Sequence, residues 1–427
     1  MRRRALLSTL IAATLPAGLL AGCSSSGPAA TPVTFVTAQK AADITVSSAA
    51  YQQAAMGSEA FGLALLRKLG DATDEGNVVF SPQTLVDLLA MILPGATGQT
   101  ATQLSDALGD AGLTASSTAG ALGKLDATTR ADANQDSNTL DESSDVWTAS
   151  GLKLAQNYLA TLDGAFGTGV HQADFAGDPR GSAQAIDNLV SQETHGYIPQ
   201  LFGPDSFGAS TRLVLTDADY LDASWASKFD PNETINSGFY LTDGSVTQVP
   251  MMSQTGRFKY ASGSGWQLLE MPYAGGKTAM DILLPAKGSG TLSALRDSLS
   301  ATSLNSMLSS MTEQNVTLTV PKFTTSYSPE GLVQTLSTLG LDRLFTNADL
   351  TGITADHEPL DVNEVVETAY VAVAENGTVA AAAGGAAIAT SARAATGTAF
   401  DADHPFLYLV RDVSTGQVLF AGQFTGR

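Results

Sequence analysis

The side chains of this chain that could do covalent or proton chemistry do not assemble into a catalytic pattern. Ser150 and Lys153 have the Ser-x-x-Lys spacing of an acyl-enzyme nucleophile and its base, but no Ser-Asp-Asn or Lys-Thr-Gly partner follows. There is no Gly-x-Ser-x-Gly elbow. His171, His195, His357 and His404 are scattered, without the i, i+4 pair and acidic companion that a zinc protease needs. No glycine-rich phosphate cradle is present. The sequence gives little support to an enzyme and calls for no cofactor or metal. What stands out instead is a stretch of small residues, 375–393, set between two strand patterns.

That stretch reads Glu375-Asn376-Gly377-Thr378-Val379, then Ala380, Ala381, Ala382, Ala383, Gly384, Gly385 and on to Ser391, Ala392 and Arg393. It follows a β-branched run, 362–373, that reads as a buried strand. No proline lies between Pro359 and Pro405, so every position keeps an N–H for a sheet ladder. On a strand, Thr378, Ala380, Ala382, Gly384, Ala386 and Ile388 share one face. All but the last are small, so the segment can stay outside or enter a sheet without burying a charge. The bland alternative is a flexible Ala/Gly linker, but a linker does not account for strand patterns on both sides of it.

These residues resemble the hinge and reactive-centre loop of the serpins. The family pattern of Glu, any residue, Gly, Thr and a run of small residues is matched by Glu375, Gly377, Thr378 and Ala380, Ala381, Ala382 and Ala383. Two positions depart from it. Val379 stands where an acid is common, and Gly384 where Thr is usual. Gly384 weakens an inserted strand by roughly 0.5–1 kcal/mol relative to Ala. Neither departure blocks insertion.

The resemblance covers 51–423. Asn77, the run Phe80-Ser81-Pro82, Gly95-Ala96 and Thr100 look like one family segment, with Ser81 placed to cap a helix and Pro82 in its first turn. Residues 185–198 look like the helix that crosses the main sheet. In 211–229, Tyr220 and Trp225 fall at the family's aromatic positions, Trp225 at the top of the sheet. Residues 249–252, 269–276, 282–285, 404–410 and 416–422 look like strands of the smaller sheets. The resemblance implies an α+β serpin fold, with one large mixed sheet, two smaller sheets, surrounding helices and an exposed reactive-centre loop. It implies inhibition of a serine protease by cleavage of the loop, trapping of the acyl-enzyme and insertion of the loop into the main sheet. The other function to weigh is a serpin-shaped binding protein that no longer inhibits. Such relatives tend to carry bulky, charged or proline residues in the hinge, and this chain does not.

Counting from the hinge glycine as the family does puts the reactive bond between Ser391 and Ala392, with Arg393 as the alternative. The aliphatic residues before Ser391 suit an elastase- or subtilisin-like target; Arg393 would suit a trypsin-like one. The resemblance also places Ser81, Thr84, Asp217 and Glu367 in a buried polar cluster beneath the sheet. There two carboxyls replace the family's amide and imidazole. Like charges in such a site disfavour one another, so the expectation is a shared proton and a raised pKa.

At the start, Arg2, Arg3 and Arg4 precede an apolar run, 6–20, too short to span a bilayer comfortably. The run ends Leu20-Ala21-Gly22-Cys23, which resembles a bacterial lipobox. The alternative is an ordinary secretory signal with a cysteine there by chance. The lipobox reading makes 1–22 a signal peptide, Cys23 the lipidated residue, 23–47 a Ser/Thr/Ala/Pro-rich flexible tether, and 48–427 the folded domain. The protein would be secreted and held at a bacterial membrane or envelope. Cys23 is the single cysteine, so no disulfide forms within the chain. Cleavage removes three arginines and takes the net charge from −20 to −23. A body this acidic does not seek nucleic acid, and a monomer is expected. Residues 110–136, rich in Ser, Gly, Ala and Asp, are the weakest-patterned and read as a poorly ordered helix or loop.

Overall fold

A computed structural model describes residues 33–73, 76–110, 112–136, 138–288, 291–378 and 397–427. Its strands, in chain order, are β1 (Thr34–Val36), β2 (Val78–Phe80), β3 (Thr139–Ala149), β4 (Val170–Ala173), β5 (Leu213–Ser224), β6 (Ile235–Tyr240), β7 (Val246–Gly263) and β8 (Trp266–Pro272). They continue with β9 (Thr278–Pro285), β10 (Thr312–Pro321), β11 (Phe323–Tyr327), β12 (Glu364–Ala374), β13 (Gly377–Thr378), β14 (Thr398–Asp401), β15 (Phe406–Asp412) and β16 (Val418–Phe424). The longer helices are α1 (Ser48–Ala72), α2 (Pro82–Ile92), α3 (Gly98–Ala107), α4 (Ala115–Ala133), α5 (Gln156–Phe166), α6 (Pro179–Glu193), α7 (Thr291–Ser298) and α8 (Ala301–Ser310).

The main sheet has the order β1-β4-β3-β5-β13-β12-β11. It is mixed: β5 pairs with β12 in parallel and with β3 antiparallel. A second ladder runs β14-β10-β7-β8-β9-β15-β16-β2, with β6 on the flank of β7. The two smaller sheets of the expected fold run into one another through β7. Its first residues pair with β6, its middle with β10 and its end with β8. β5 is buried along most of its length on both faces: its first residues pack in the cluster with the helices, and Leu221 and Ala223 pack in the cluster with the second sheet. Such a strand reads as a continuous apolar run; in β5 that run is broken by Asp217 and Asp219.

Helix α1 begins where Ser47 Oγ accepts the Ala50 N–H, 3.1 Å away. Phe61, Leu65, Leu66 and Leu69, at helical spacing, are all buried. Ser81 caps α2 and Pro82 opens it. Two apolar clusters result. One lies between the helices and the main sheet, around Leu65, Phe80, Ile92 and Trp147. The other lies between the two sheets, around Phe239, Phe323, Phe406 and Phe420.

Two readings of composition are corrected. The part of the expected tether from residue 33 to 47 belongs to the folded body, and the described residues from 33 to 427 form one compact unit. β1 adds antiparallel to β4 at the edge of the main sheet. The Ala42 N–H donates to Ala160 O at 2.7 Å, and Ile44 lies over Gly120. A three-residue strand needs so little pattern that composition hides it. Residues 23–32, with Cys23, lie outside the described residues. The weakly patterned stretch 110–136 holds α4, a helix of 19 residues. Its small residues are its contacts: a Cβ on Gly123 would meet Ala165 O at 2.0 Å, and one on Gly120 would meet Ile44 at 2.4 Å. Close backbone approach, rather than a stripe of large side chains, seats this helix.

Candidate functional site

The strand ends and turn around Glu375 form the upper part of the site. β12 leaves the sheet at Ala374, Glu375 and Asn376 turn, and Gly377 and Thr378 re-enter as β13. The hinge is thus already a strand, wedged between β12 and β5. Thr378 pairs with Val373 and Ala223, and Gly377 with Ala374 and Ser224. Gly377 is required by space: an added Cβ would lie 2.0 Å from Ala223 O. The Thr378 side chain is fully buried, and its hydroxyl shares a 2.6 Å hydrogen bond with Tyr273 Oη. The sequence places Thr378 as the first inward residue on insertion, and it occupies that position in the uncleaved fold.

Side chains brace this hinge from both flanks. Trp225 stacks on Tyr273 with ring centres 4.5 Å apart, and its indole N–H donates to Ala374 O at 2.8 Å. The Trp225 backbone N–H donates to Asn376 O, and that of Phe229 to Glu375 O. Burial works against the Glu375 carboxylate. The hydrogen bonds from Lys322 at 2.9 Å and Thr234 at 3.0 Å outweigh it and hold the pKa below the usual glutamate value. Ala380, Ala381, Ala382 and Ala383 and the reactive-bond candidates Ser391, Ala392 and Arg393 lie outside the described residues.

The lower part lies beneath the sheet, where α2 enters. Ser81, Thr84, Asp217 and Glu367 are brought together and all are buried. Ladder register explains why. Glu367 on β12 sits beside Asp217 on β5, which sits beside Ser144 on β3, so the three share a row and a face. The Ser81 N–H donates to Glu367 Oε1 at 2.5 Å, Thr84 Oγ1 to Asp217 Oδ2 at 2.5 Å, and Ser144 Oγ to Asp217 Oδ1 at 3.0 Å.

Sequence reasoning missed the third carboxyl, Asp219, two residues along β5 on the same face and 3.0 Å from Thr84 Oγ1. Its signal was the Asp-x-Asp spacing inside an otherwise apolar strand. Beside it across the ladder stands Glu142 on β3. Burial pushes Asp217 up to about 7. It raises Asp219 and Glu367 well above the ordinary range, with the neighbouring carboxyls adding to the effect. Desolvation is therefore the larger cause, and repulsion between like charges the smaller.

The arrangement contains no nucleophile held by a base. It contains a strand edge already parted at one end, below which seven residues of β12 remain paired with β5. Residues 56–426 match the family described as serpin (serine protease inhibitor).

The chain belongs to the serpin family.

Iripin-2 of Ixodes ricinus is 35% identical over 376 residues, covering 85% of this chain and 91% of that protein. Plasminogen activator inhibitor 1 of Sus scrofa is 32% identical, covering 85% and 90%. Among solved structures, native protease nexin-1 with heparin superposes with a TM-score of 0.78 at 28% identity, over 88% of this chain and all of that one. The serpin fold expected from the motifs is the fold observed. Serpins are in general inhibitors of serine proteases rather than catalysts.

Proposed function

We propose that this serpin is a suicide inhibitor. The target's serine hydroxyl attacks the Ser391 carbonyl carbon, and the amine of Ala392 leaves with the proton. The protease stays esterified to the loop. The loop then follows Gly377 and Thr378 downward between β5 and β12, and the acyl-enzyme is dragged and distorted before water can release it. Serpin loop insertion is itself a known instance of strand addition driven by stored strain. Each ladder hydrogen bond gained is worth on the order of 1 kcal/mol net, and more than ten form together. An active site tolerates misplacement of only about 1 Å.

One observation carries this reading: Thr378 stands inward between the two strands that must part, and the next residues of its face, Ala380, Ala382, Gly384 and Ala386, are small. A non-inhibitory binding protein is the alternative, and nothing in the hinge favours it. The same reading takes elastase- or subtilisin-like proteases as first targets and trypsin-like ones as second. It makes the protein a secreted bacterial lipoprotein, monomeric and anchored through lipid on Cys23. Incubation of the purified protein with elastase, subtilisin and trypsin tests the mechanism. An SDS-resistant complex with at least one of them is expected. Quantitative cleavage of the loop with release of every protease would leave a substrate-like binding protein instead.

A further inference from the structure

Asp217 and Asp219 on β5 and Glu367 on β12 are each no more than 1% exposed, and one oxygen from each lies within 4.8 Å of the others. Their donors can be counted. Six carboxylate oxygens meet the Ser81 N–H, the Ala218 N–H, the Ser144 hydroxyl and the single proton of the Thr84 hydroxyl, which faces both aspartates. Asp219 Oδ1 and Glu367 Oε2, both fully buried, receive no hydrogen bond. Orphaned oxygens of this kind cost about 1–3 kcal/mol each, and more when charged. The charges acting most strongly on the three come from other carboxylates, Asp145 and Glu142 among them. Proteins satisfy buried acids with partners or with a metal, and among the described residues no ion pair reaches these three.

A cavity of about 180 Å³ adjoins the cluster and opens to solvent. Thr84 and Ser144, which both bond Asp217, stand in its wall together with Asp87, Asp126 and Glu142. The cavity ends on Thr84 and Ser144, the side chains that bond Asp217, so it brings solvent to within one side chain of the cluster.

We propose that Asp217, Asp219 and Glu367 form a calcium site that ties β12 to β5. Hard cations take carboxylate and hydroxyl oxygens, and the Thr84 hydroxyl is a fourth ligand within the cluster. Calcium holds its ligands at about 2.3–2.6 Å, so oxygens of its shell stand up to about 5 Å apart, and the three oxygens here, all within 4.8 Å of one another, fall inside that limit. Magnesium, at about 2.0–2.1 Å and strictly octahedral, needs a tighter set. Two ligands sit on one strand and the third on the other, so the ion spans the seam that loop insertion must open. Bound calcium holds the uncleaved sheet shut. That last consequence rests on the inhibitor reading; the site itself does not.

The test uses the full chain, stripped with EGTA and dialysed, with calcium chloride as the probe. Equilibrium dialysis should find one calcium per chain. The thermal midpoint should rise with calcium, and magnesium should act at least tenfold more weakly. Asp219→Asn and Glu367→Gln, which keep size and remove charge, should each weaken binding at least tenfold. Terbium, a calcium mimic, should be bound by the wild-type chain and displaced by calcium, a readout that needs no variant. No calcium bound by the wild type, or equal binding by wild type and both variants, overturns the site. If one calcium binds but the rate of complex formation with a protease is the same in calcium and in EGTA, the site stands and the lock is wrong.

Discussion

Thr378→Arg separates an inserting hinge from a passive one. Thr378 is fully buried, paired by backbone to both neighbours and bonded to Tyr273. The inserted dipeptide is held by about four ladder hydrogen bonds and one hydroxyl bond, each worth on the order of 0.5–1.5 kcal/mol net. The hold is therefore about 3–7 kcal/mol. A guanidinium placed in the same slot loses its hydration, which costs several kcal/mol per ion even after relaxation, and it also forfeits the hydroxyl bond. The two quantities are comparable, so the arginine chain relieves the penalty by leaving the sheet, and the hinge is expelled in the uncleaved protein. After cleavage the loop must carry that arginine back past the same two strands. If only about a third of a ~4 kcal/mol penalty is felt at the transition state for insertion, insertion slows about tenfold.

Deacylation by water is unaffected by the substitution, so the partition between trapped and released protease shifts by the same factor. The assay is the stoichiometry of inhibition, titrated against whichever protease forms the SDS-resistant complex. The wild type should need few molecules per protease inhibited; in Thr378→Arg the number consumed beyond the one that is trapped should grow about tenfold, with cleaved, uncomplexed serpin as the product. Thr378→Val, which keeps the shape and loses the hydroxyl bond, should stay near the wild type. An unchanged stoichiometry in Thr378→Arg would falsify insertion through this seam.

Three further outcomes are expected. Mass spectrometry of the C-terminal fragment released by the target should show a first residue of Ala392. A fragment beginning at Ala394 would move the reactive bond to Arg393 and the target class to trypsin-like enzymes. Glu59 is buried and accepts a 2.7 Å hydrogen bond from Asn305, and burial lifts its pKa to about 7. Its folded form thus holds a proton that the unfolded form releases near 4.5. The stability it contributes is present below that value and is lost as pH rises through 7. Glu59→Gln should match the wild type in acid and exceed it by a few kcal/mol near pH 8; a difference between the two proteins that does not change with pH would refute this. Cys23→Ser should abolish incorporation of labelled palmitate in a bacterial host and move the protein from the membrane to the soluble fraction. Retention at the membrane would exclude the lipid anchor.

Some of this was legible in the sequence, for reasons that differ from element to element. Gly377 and Thr378 were legible because their residue types are forced. Gly377 has no room for a Cβ, and Thr378 must be small enough for a fully buried slot. Ser81 and Pro82 announced α2 because capping and first-turn chemistry is local. The packed segment 33–47 and helix α4 were not legible. Their contacts are made by backbone and by glycines, which carry no hydrophobic period.

Asp219 marks a subtler limit. Its spacing from Asp217 is plain in the sequence, but the family pattern names four positions of the cluster and Asp219 is a fifth. Only the ladder shows that a strand buried on both faces has no solvent-facing side to which an acid could turn. The early insertion of β13 lay further out of reach. An expelled hinge and an inserted one use the same small residues, and they differ by a few hydrogen bonds, each worth about 1 kcal/mol. Residue types permit insertion. Whether the first two residues enter before cleavage depends on the stack of Trp225 on Tyr273, the hydroxyl bond of Tyr273 to Thr378 and the Lys322–Glu375 pair acting together. Those contacts join residues up to 105 positions apart, from Tyr273 to Thr378, and exist only once both sheets have formed.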